Sequence, residues 1–318
     1  MAIADFQDGW HTRRTWTERG LHKRMLDAND ILSRPLFLIA ATEKSGTTWL
    51  QIMLDAPPNV LCRGEGQFAG VLTPAIGQAL KDYSEFIAGL NEKVFNETPP
   101  FPVFNAEDQA EMVRLAAARL WAKCDVADET VILGEKTPGN VRAIGTLERM
   151  FPDSRYIFIV RDCRDVVVSG HAHLRRQHGA AGDEPIENYA KRVATVWAGD
   201  VARASEAAKN APGRTLTLRY EDLHQDPVPP LRQACLFLGV DDGDEIIHAC
   251  VEAGRFENLS GGRSRGIEDV GSQFRKGIVG DWCNVLPREA RAVIAEKAGD
   301  ALRELGYAQD DTWGDADG

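Results

Sequence analysis

Leu36-Phe37-Leu38-Ile39-Ala40-Ala41, followed by Thr42-Glu43-Lys44-Ser45-Gly46-Thr47-Thr48-Trp49-Leu50, is the stretch on which the reading of the fold turns. A short apolar run bounded by turn residues predicts a strand buried on both faces, the habit of parallel sheets. It empties into a loop of small and hydroxylated residues around Lys44, after which Trp49, Leu50, Met53 and Leu54 recur at helical spacing. Strand, loop and helix start together form an anion cradle, because the first helical N–H groups have no intrahelical partner. Lys44 adds a point charge, and Ser45, Thr47 and Thr48 add hydroxyl donors. Taken singly, the same residues also make an ordinary capped turn. A nucleoside-triphosphate loop has the order Gly-x-x-x-x-Gly-Lys-Ser/Thr. Here the Lys precedes the Gly, so that order is not met.

Outward from this point the chain alternates strands with helices. Val60-Leu61-Cys62, Val131-Ile132-Leu133, Tyr156 to Val160 and Thr215 to Leu218 read as further strands. Helices are expected from Glu107, up to Met150, after Asp162, over 186–209, 229–238 and 243–254, and from Pro287 to Gly306. Residues 67–105, with Pro99-Pro100, Pro102 and several aromatics, read as an irregular excursion, and 176–185, rich in Gly and Ala, as a mobile segment. The expectation is an α/β fold, a single domain over 1–318 with a central parallel sheet flanked by helices, of the P-loop nucleoside-triphosphate-hydrolase-like kind. Residues 1–34 form an N-terminal extension in which Trp10 and Trp16 are candidate packing anchors, and the acidic tail Gln309 to Gly318 is expected to be disordered.

Composition bounds the function. In 318 residues, 43% are hydrophobic and 27% charged, as in soluble globular proteins. A formal net charge of -11 argues against nucleic acid or an anionic membrane as partner, yet leaves room for a locally basic pocket. No apolar run is long enough to span a bilayer, and Met1 to Trp16 lacks the apolar region of a secretory signal. Six scattered cysteines without paired spacing suit reduced thiols, and a cytoplasmic location is expected. No His/Cys/carboxylate cluster has ligand spacing, so no metal is expected.

In open parallel sheets ligands sit at the carboxyl ends of the strands. The strands here deliver polar clusters to that edge: Lys44 to Thr48, Glu135-Lys136-Thr137, Arg161-Asp162, and Arg219-Tyr220. Far along the chain comes Phe274-Arg275-Lys276-Gly277-Ile278-Val279-Gly280-Asp281-Trp282. This set resembles the sulfotransferases that use 3′-phosphoadenosine 5′-phosphosulfate (PAPS), and the matching blocks span residues 36 to 282. The resemblance implies PAPS as co-substrate. Lys44, Ser45, Gly46, Thr47 and Thr48 would form the phosphosulfate loop, and Arg161 and Ser169 the 3′-phosphate site. Arg275, Lys276 and Gly277 would close over that phosphate, as in the family's R-K-G-x-x-G-D-W loop. Trp49, Tyr220 and Phe256 would hold adenine. Arg161 could instead pair with Asp162 or Asp165, and each aromatic could be core.

The base is less directly marked. Aryl- and steroid-type members carry a His in a Lys-Thr-His-Leu-Pro block, but this chain has Glu135-Lys136-Thr137-Pro138. With Glu43 in place of the Pro common before the loop Lys, it is closer to the tyrosylprotein and bacterial branches, in which a Glu after the first helix is the base. Leu54-Asp55-Ala56-Pro57-Pro58-Asn59-Val60 follows that branch's L-D-A-x-P-x-V pattern and places Glu65 at the base position, with His171 and His173 as rivals. The implied catalytic set is Glu65 as base, Lys44 on the bridging oxygen and Lys136 on a sulfonyl oxygen. The expected acceptor is a hydroxylated small molecule, a sugar or a lipid, with a peptide also open, and Phe68, Tyr83, Phe86 and 176–185 are candidates to shape its pocket. The C-terminal dimerisation block of some cytosolic relatives, K-x-x-x-T-V-x-x-x-E, is absent, so the resemblance assigns no oligomeric state. Two other classes compete: a P-loop small-molecule kinase, for which Asp162 would be the magnesium carboxylate, and a non-catalytic nucleotide-binding module.

Overall fold

In the computed structural model, which describes residues 18–94, 99–179, 183–310 and 312–314, the apolar run is strand β1 (Leu36–Ala40), buried at every position. It pairs in parallel with β3 (Ile132–Lys136) on one side and β4 (Arg155–Val160) on the other. Outside these lie β2 (Val60–Arg63) and β5 (Thr215–Arg219), giving one all-parallel sheet of order β2-β3-β1-β4-β5. Both faces of β1 are covered. Phe37 and Ile39 join a core built with α2 (Thr47–Leu54), α9 (Val228–Leu238) and α10 (Asp244–Ala253). Leu36, Leu38 and Ala40 point the other way, as strand alternation requires. They meet α1 (Glu18–Ser33), α4 (Ala106–Trp121) and α5 (Ile144–Met150). A third core joins α6 (Cys163–His178), α7 (Ile186–Asn210) and α13 (Arg288–Glu304). The connections from β3 to β4 pass across β1, so the strand order reverses beside β1, where open α/β sheets place their ligands.

The sequence expectation fails most plainly over 67–105. A π-helical turn (Phe68–Leu72) leads into α3 (Thr73–Val94), 22 residues long. Ile76, Leu80, Ile87 and Leu90 recur at helical spacing and are half-buried. Gln109 of α4 ties its Nε2 to the Thr73 carbonyl at 2.9 Å. The prolines at 99, 100 and 102 follow this helix instead of interrupting it. Phe68 is a core residue, 3% exposed and edge-on to Trp121 at 4.9 Å between ring centroids, while Tyr83 and Phe86 are exposed on α3. None of the three lines the cavity at the strand ends described below. The helix ending at Met150 is also two pieces, a 3-10 turn (Pro138–Arg142) and then α5.

The C-terminal end departs as well. Thr312–Gly314 form a 3-10 turn where disorder was expected, because Trp313 packs edge-on against Trp282 of α12 (Trp282–Val285) and the Arg164 guanidinium lies over both rings. Residues 311 and 315–318 lie outside the described residues, as do Trp10, Trp16 and the centre of the Gly/Ala-rich segment, 180–182. Among the described residues no helix is long and apolar enough to cross a membrane, and the six cysteines are free thiols.

Strand β3 admits only glycine at its middle. A Cβ at Gly134 would stand 2.3 Å from Phe37 Cζ and 2.8 Å from Cys62 Sγ, both in neighbouring strands. Gly134→Ala is expected to destabilise the fold by about 1–3 kcal/mol through overpacking. Urea unfolding should show a lower midpoint at unchanged slope, and an unmoved midpoint would contradict this packing.

Candidate active site

The chain leaves β1 through a turn that two left-handed residues make possible, Lys44 at φ 71 and Gly46 at φ 96. At Gly46 the backbone also presses on an aromatic wall, for a Cβ there would lie 2.5 Å from Tyr220 Cδ2. Gly46 opens α2 with no side-chain cap, and the first helical bond runs from the Leu50 N–H to the Gly46 carbonyl at 3.0 Å. The N–H groups of Thr47 to Trp49 precede that bond and point out of the helix start, the arrangement that attracts anions. Lys44, unlike glycine, is strained in this conformation by about 1–3 kcal/mol, so the turn needs outside support. It has two supports. Arg161 donates from Nη1 to the Lys44 carbonyl at 3.2 Å. Glu43 is gripped by both terminal nitrogens of Arg142, which is itself bonded to buried Asp200, and Asp200 also accepts the Thr42 hydroxyl at 3.0 Å.

Above this turn lies a cavity of about 490 Å³ whose walls come from the strand ends and from the loop after α11 (Phe256–Leu259). Lys44, Gly46, Thr47, Thr48, Trp49, Glu65, Arg161, Ser169, Tyr220, Phe256, Arg275, Lys276 and Gly277 all line it. Tyr220, the first residue of α8 (Tyr220–Gln225), is nearly buried between Gly46 and the Arg161 guanidinium, 4.3 Å above its ring. Trp49 is held by its Nε1 on the Gly254 carbonyl at 2.7 Å. Phe256 backs Gly277, which is left-handed at φ 63 and has no room for a Cβ. Arg161 reaches across this space, since its Nη2 donates to the Ile278 carbonyl at 3.4 Å while Nη1 holds Lys44.

Two expected residues stand apart from the cavity. Ser45 does not face it: its side chain is 1% exposed beneath the turn, beside Ala41, Thr42, Phe158 and Trp197. The left-handed Lys44 immediately before it turns that side chain under, and its N–H is used on the Thr42 carbonyl. Lys136 lies behind the wall, 5% exposed, and reaches the site by an ion pair, Nζ to Glu65 Oε1 at 2.8 Å. Arg275 and Lys276 do line the cavity, but both are already tied to Asp281, at 2.6 and 2.7 Å, and Arg275 also to Glu268. Those two cations hold the Asp281 carboxyl below its usual range, although burial works against them.

The electrostatics are those of an anion site. Burial, and then the charges of Arg176, Arg161 and Lys136, push the Lys44 ammonium down to about 8, with Glu65 opposing them. The Nε of Arg161 is buried and has no hydrogen-bond partner among the described residues. The alternative pairings of Arg161 are weak or taken. Asp165 stands 3.9 Å away and accepts the N–H groups of Gly280 and Trp282, so it braces the Arg275–Gly277 loop. Asp162 caps α6 and grips Arg164 with both oxygens, which leaves the carboxylate of the kinase reading occupied.

Of the rival bases, His171 bonds the Glu184 carbonyl and does not line the cavity. His173 does line it, but burial and the charges of Lys44, Arg176 and His178 push it down to about 4. Its Nδ1 lies 2.6 Å from the Arg176 guanidinium, which can only donate, so the ring proton sits on Nε2 and no lone pair remains for a substrate. Glu65 is about half exposed, with Oε2 accepting from Gln67 Nε2 at 3.1 Å. Sequence reading missed Arg176, Arg265, His224 and Gln273. Arg176 acts on Lys44 through charge, His224 bonds the Gly277 carbonyl at 2.9 Å, and Arg265 and Gln273 are cavity-lining residues. None belongs to a contiguous motif, and only the fold assembles them.

A carboxylate beside an ammonium, facing a cavity rich in cations and aromatic walls, can take a proton from a hydroxyl while an anionic donor is held nearby. The comparisons agree with a donor of that kind. Protein-tyrosine sulfotransferase 2 of Gallus gallus is 25% identical over 290 residues, covering 89% of this chain and 73% of that protein. Cytosolic sulfotransferase 17 of Arabidopsis thaliana is 22% identical over 325 residues, covering 92% and 84%. Among solved structures, a mouse sulfotransferase complexed with PAP superposes with a TM-score of 0.53 at 17% identity, covering 88% of this chain and 92% of that one. The sulfotransferase domain of a Synechococcus olefin synthase gives 0.51 at 19% identity, covering 84% and 94%. These two establish likeness of fold. The family model described as the sulfotransferase family matches residues 35–244, about two thirds of the length, and the chain belongs to that family.

Proposed function

We propose that the protein transfers the sulfuryl group of PAPS to an acceptor hydroxyl, with Glu65 as base. The observation that carries this reading is the joining of two charge clusters through Arg161. Lys44, Glu65 and Lys136 gather at one, Arg275 and Lys276 at the other, and a single guanidinium holds a backbone carbonyl of each loop. The residues fit the co-substrate. An ammonium depressed by burial and by neighbouring cations, and a buried guanidinium nitrogen without a partner among the described residues, are both relieved by an anion, and PAPS is anionic at both ends.

PAPS supplies the sulfuryl group and a stable bisphosphate as leaving group. The chain supplies position and charge, as in phosphoryl transfer. Lys44 and the N–H groups at the start of α2 neutralise the bridging oxygen, and Glu65 accepts the acceptor proton. Lys136 keeps the Glu65 carboxylate turned inward and offers its charge to a sulfonyl oxygen. Arg161 and Ser169 hold the 3′-phosphate, with Arg275, Lys276 and the Gly277 backbone closing the loop over it. Trp49 and Phe256 flank the adenine, and Tyr220 backs the Lys44 turn. The pairing of Glu65 with Lys136 favours an enzyme over a mere nucleotide-binding module, which has no use for a carboxylate beside the transferred group. Hydroxylated small molecules are the first acceptors to test. A tyrosyl hydroxyl of a polypeptide is a second reading, favoured by the relatives named as protein-tyrosine sulfotransferases.

Turnover of PAPS with a panel of phenols, sugars, lipid alcohols and tyrosine-containing peptides tests the activity. Lys44→Ala and Glu65→Gln are each expected to lower kcat by at least about 10²-fold, with thermal unfolding unchanged. A fully active Glu65→Gln would contradict the assignment of the base.

A pH effect follows from Lys44. In the free protein its ammonium titrates near about 8, and an anion beside it raises that value, so the complex holds more protons than its parts. Affinity for adenosine 3′,5′-bisphosphate should be level below pH 8 and fall by up to about tenfold per unit above it. Calorimetry at pH 8 in buffers of different ionisation enthalpy should record proton uptake. Zero uptake, or release, would contradict contact between Lys44 and the ligand.

A further inference from the structure

We infer that Glu135, which does not line the cavity, is the positioning residue that sets Glu65 in place. The inference rests on the reading of Glu65 as base and deepens it. Glu135 is 2% exposed at the end of β3, opposite Arg63, where β2 ends. Its Oε1 accepts the Gly66 N–H at 2.8 Å and the Thr137 hydroxyl, and its Oε2 accepts from Asn140 Nδ2 at 2.8 Å. Lys136, the next residue, bonds Glu65 at 2.8 Å. Two consecutive residues of β3 therefore grip two consecutive residues of the loop, one by its backbone and one by its side chain.

The loop needs this grip. Gln67 is left-handed at φ 50, a conformation that residues with a side chain rarely adopt. Gly66 lies so close to the Phe68 ring that a Cβ would stand 2.7 Å from Cζ. The Gln67 N–H approaches the Thr137 hydroxyl at 3.4 Å, so the same cluster also touches the strained residue. A buried carboxyl group is costly without donors. Here burial pushes Glu135 upward, while Thr137, Asn140 and the Gly66 N–H pull the other way. An acceptor-only carboxylate suits three donors at once, whereas an amide would turn its own N–H groups on one of them. Without Glu135 the Gly66 N–H loses its buried acceptor, the loop can relax at Gln67, and Glu65 moves off Lys136.

Steady-state kinetics with PAPS, beside calorimetric binding of adenosine 3′,5′-bisphosphate, separates this role from a merely structural one. Glu135→Ala should lower kcat by about 10²-fold, the scale of a misplaced group, while the bisphosphate Kd stays within about twofold of wild type because that ligand is held elsewhere. Glu135→Gln should recover part of the loss. In a Glu65→Gln background Glu135→Ala should cost less than about twofold more, since both changes remove the same contribution. If Glu135→Ala does not fold, Glu135→Gln and Thr137→Val decide, each expected to lower kcat about tenfold at unchanged bisphosphate affinity. Full activity of these variants, equal losses in kcat and bisphosphate affinity, or additive losses with Glu65→Gln would overturn the inference. A fully active Glu65→Gln, or a wild type with no transfer from PAPS, would instead overturn the proposed function beneath it.

Discussion

A single guanidinium holds the site together. Arg161, at the end of β4, donates to the Lys44 carbonyl and to the Ile278 carbonyl, each 117 positions away along the chain. Both acceptors belong to loops that Gln273 also links, its Nε2 donating to the Thr48 hydroxyl at 3.4 Å. The Lys44 turn is strained by its left-handed backbone, and the 275–278 loop carries two cations that share one buried carboxylate, Asp281. Arg161 is itself confined by the Tyr220 ring and by Asp165, the same carboxylate that accepts the N–H groups of Gly280 and Trp282. Each group that positions Arg161 thus also positions one of the loops Arg161 holds. The sheet makes this possible by placing the ends of β1 and β4 side by side.

The charge distribution explains how an acidic protein builds a cationic cavity. Carboxylates of the site are set behind the cations: Asp281 behind Arg275 and Lys276, and Asp200 behind Arg142. Such pairs orient a guanidinium or ammonium without removing its remaining donors. Lys44 has no ion pair among the described residues, and burial followed by the charges of Arg176, Arg161 and Lys136 lowers its pKa to about 8. Glu65 and Lys136 form the opposite case, a pair in which the carboxylate faces the cavity and the cation stands behind it.

What could be read in the sequence was what lies in contiguous residues. β1 with the Lys44 turn, and Arg161 after β4, each combine a local signal with a position that the parallel sheet dictates, whereas the Arg275-Lys276-Gly277 run lies in a loop between two helices and is legible only as a contiguous motif. Orientation was not legible: Ser45 belongs to the motif, yet the φ of its neighbour turns its hydroxyl under the loop. Over 67–105 the prolines and aromatics mask the spacing of Ile76, Leu80 and Ile87, which marks α3. Trp313 finds order where Trp282, Arg164 and the third core, all distant in sequence, meet it. Roles that act through a neighbour, such as those of Glu135, Asp165 and Arg176, depend on contacts that no spacing rule encodes.

In the proposed function one cavity grips an adenosine bisphosphate at both of its anionic ends, with Arg161 as the joint. Calorimetric titration of wild type and Arg161→Met with adenosine 3′,5′-bisphosphate, adenosine 5′-phosphate and magnesium-ATP tests it most directly. Wild type should bind the bisphosphate about tenfold more tightly than either of the others, a difference of about 1.4 kcal/mol. Arg161→Met, still folded, should lose that preference. Equal affinities in wild type, a preference for magnesium-ATP, or a preference that survives the loss of Arg161 would contradict it.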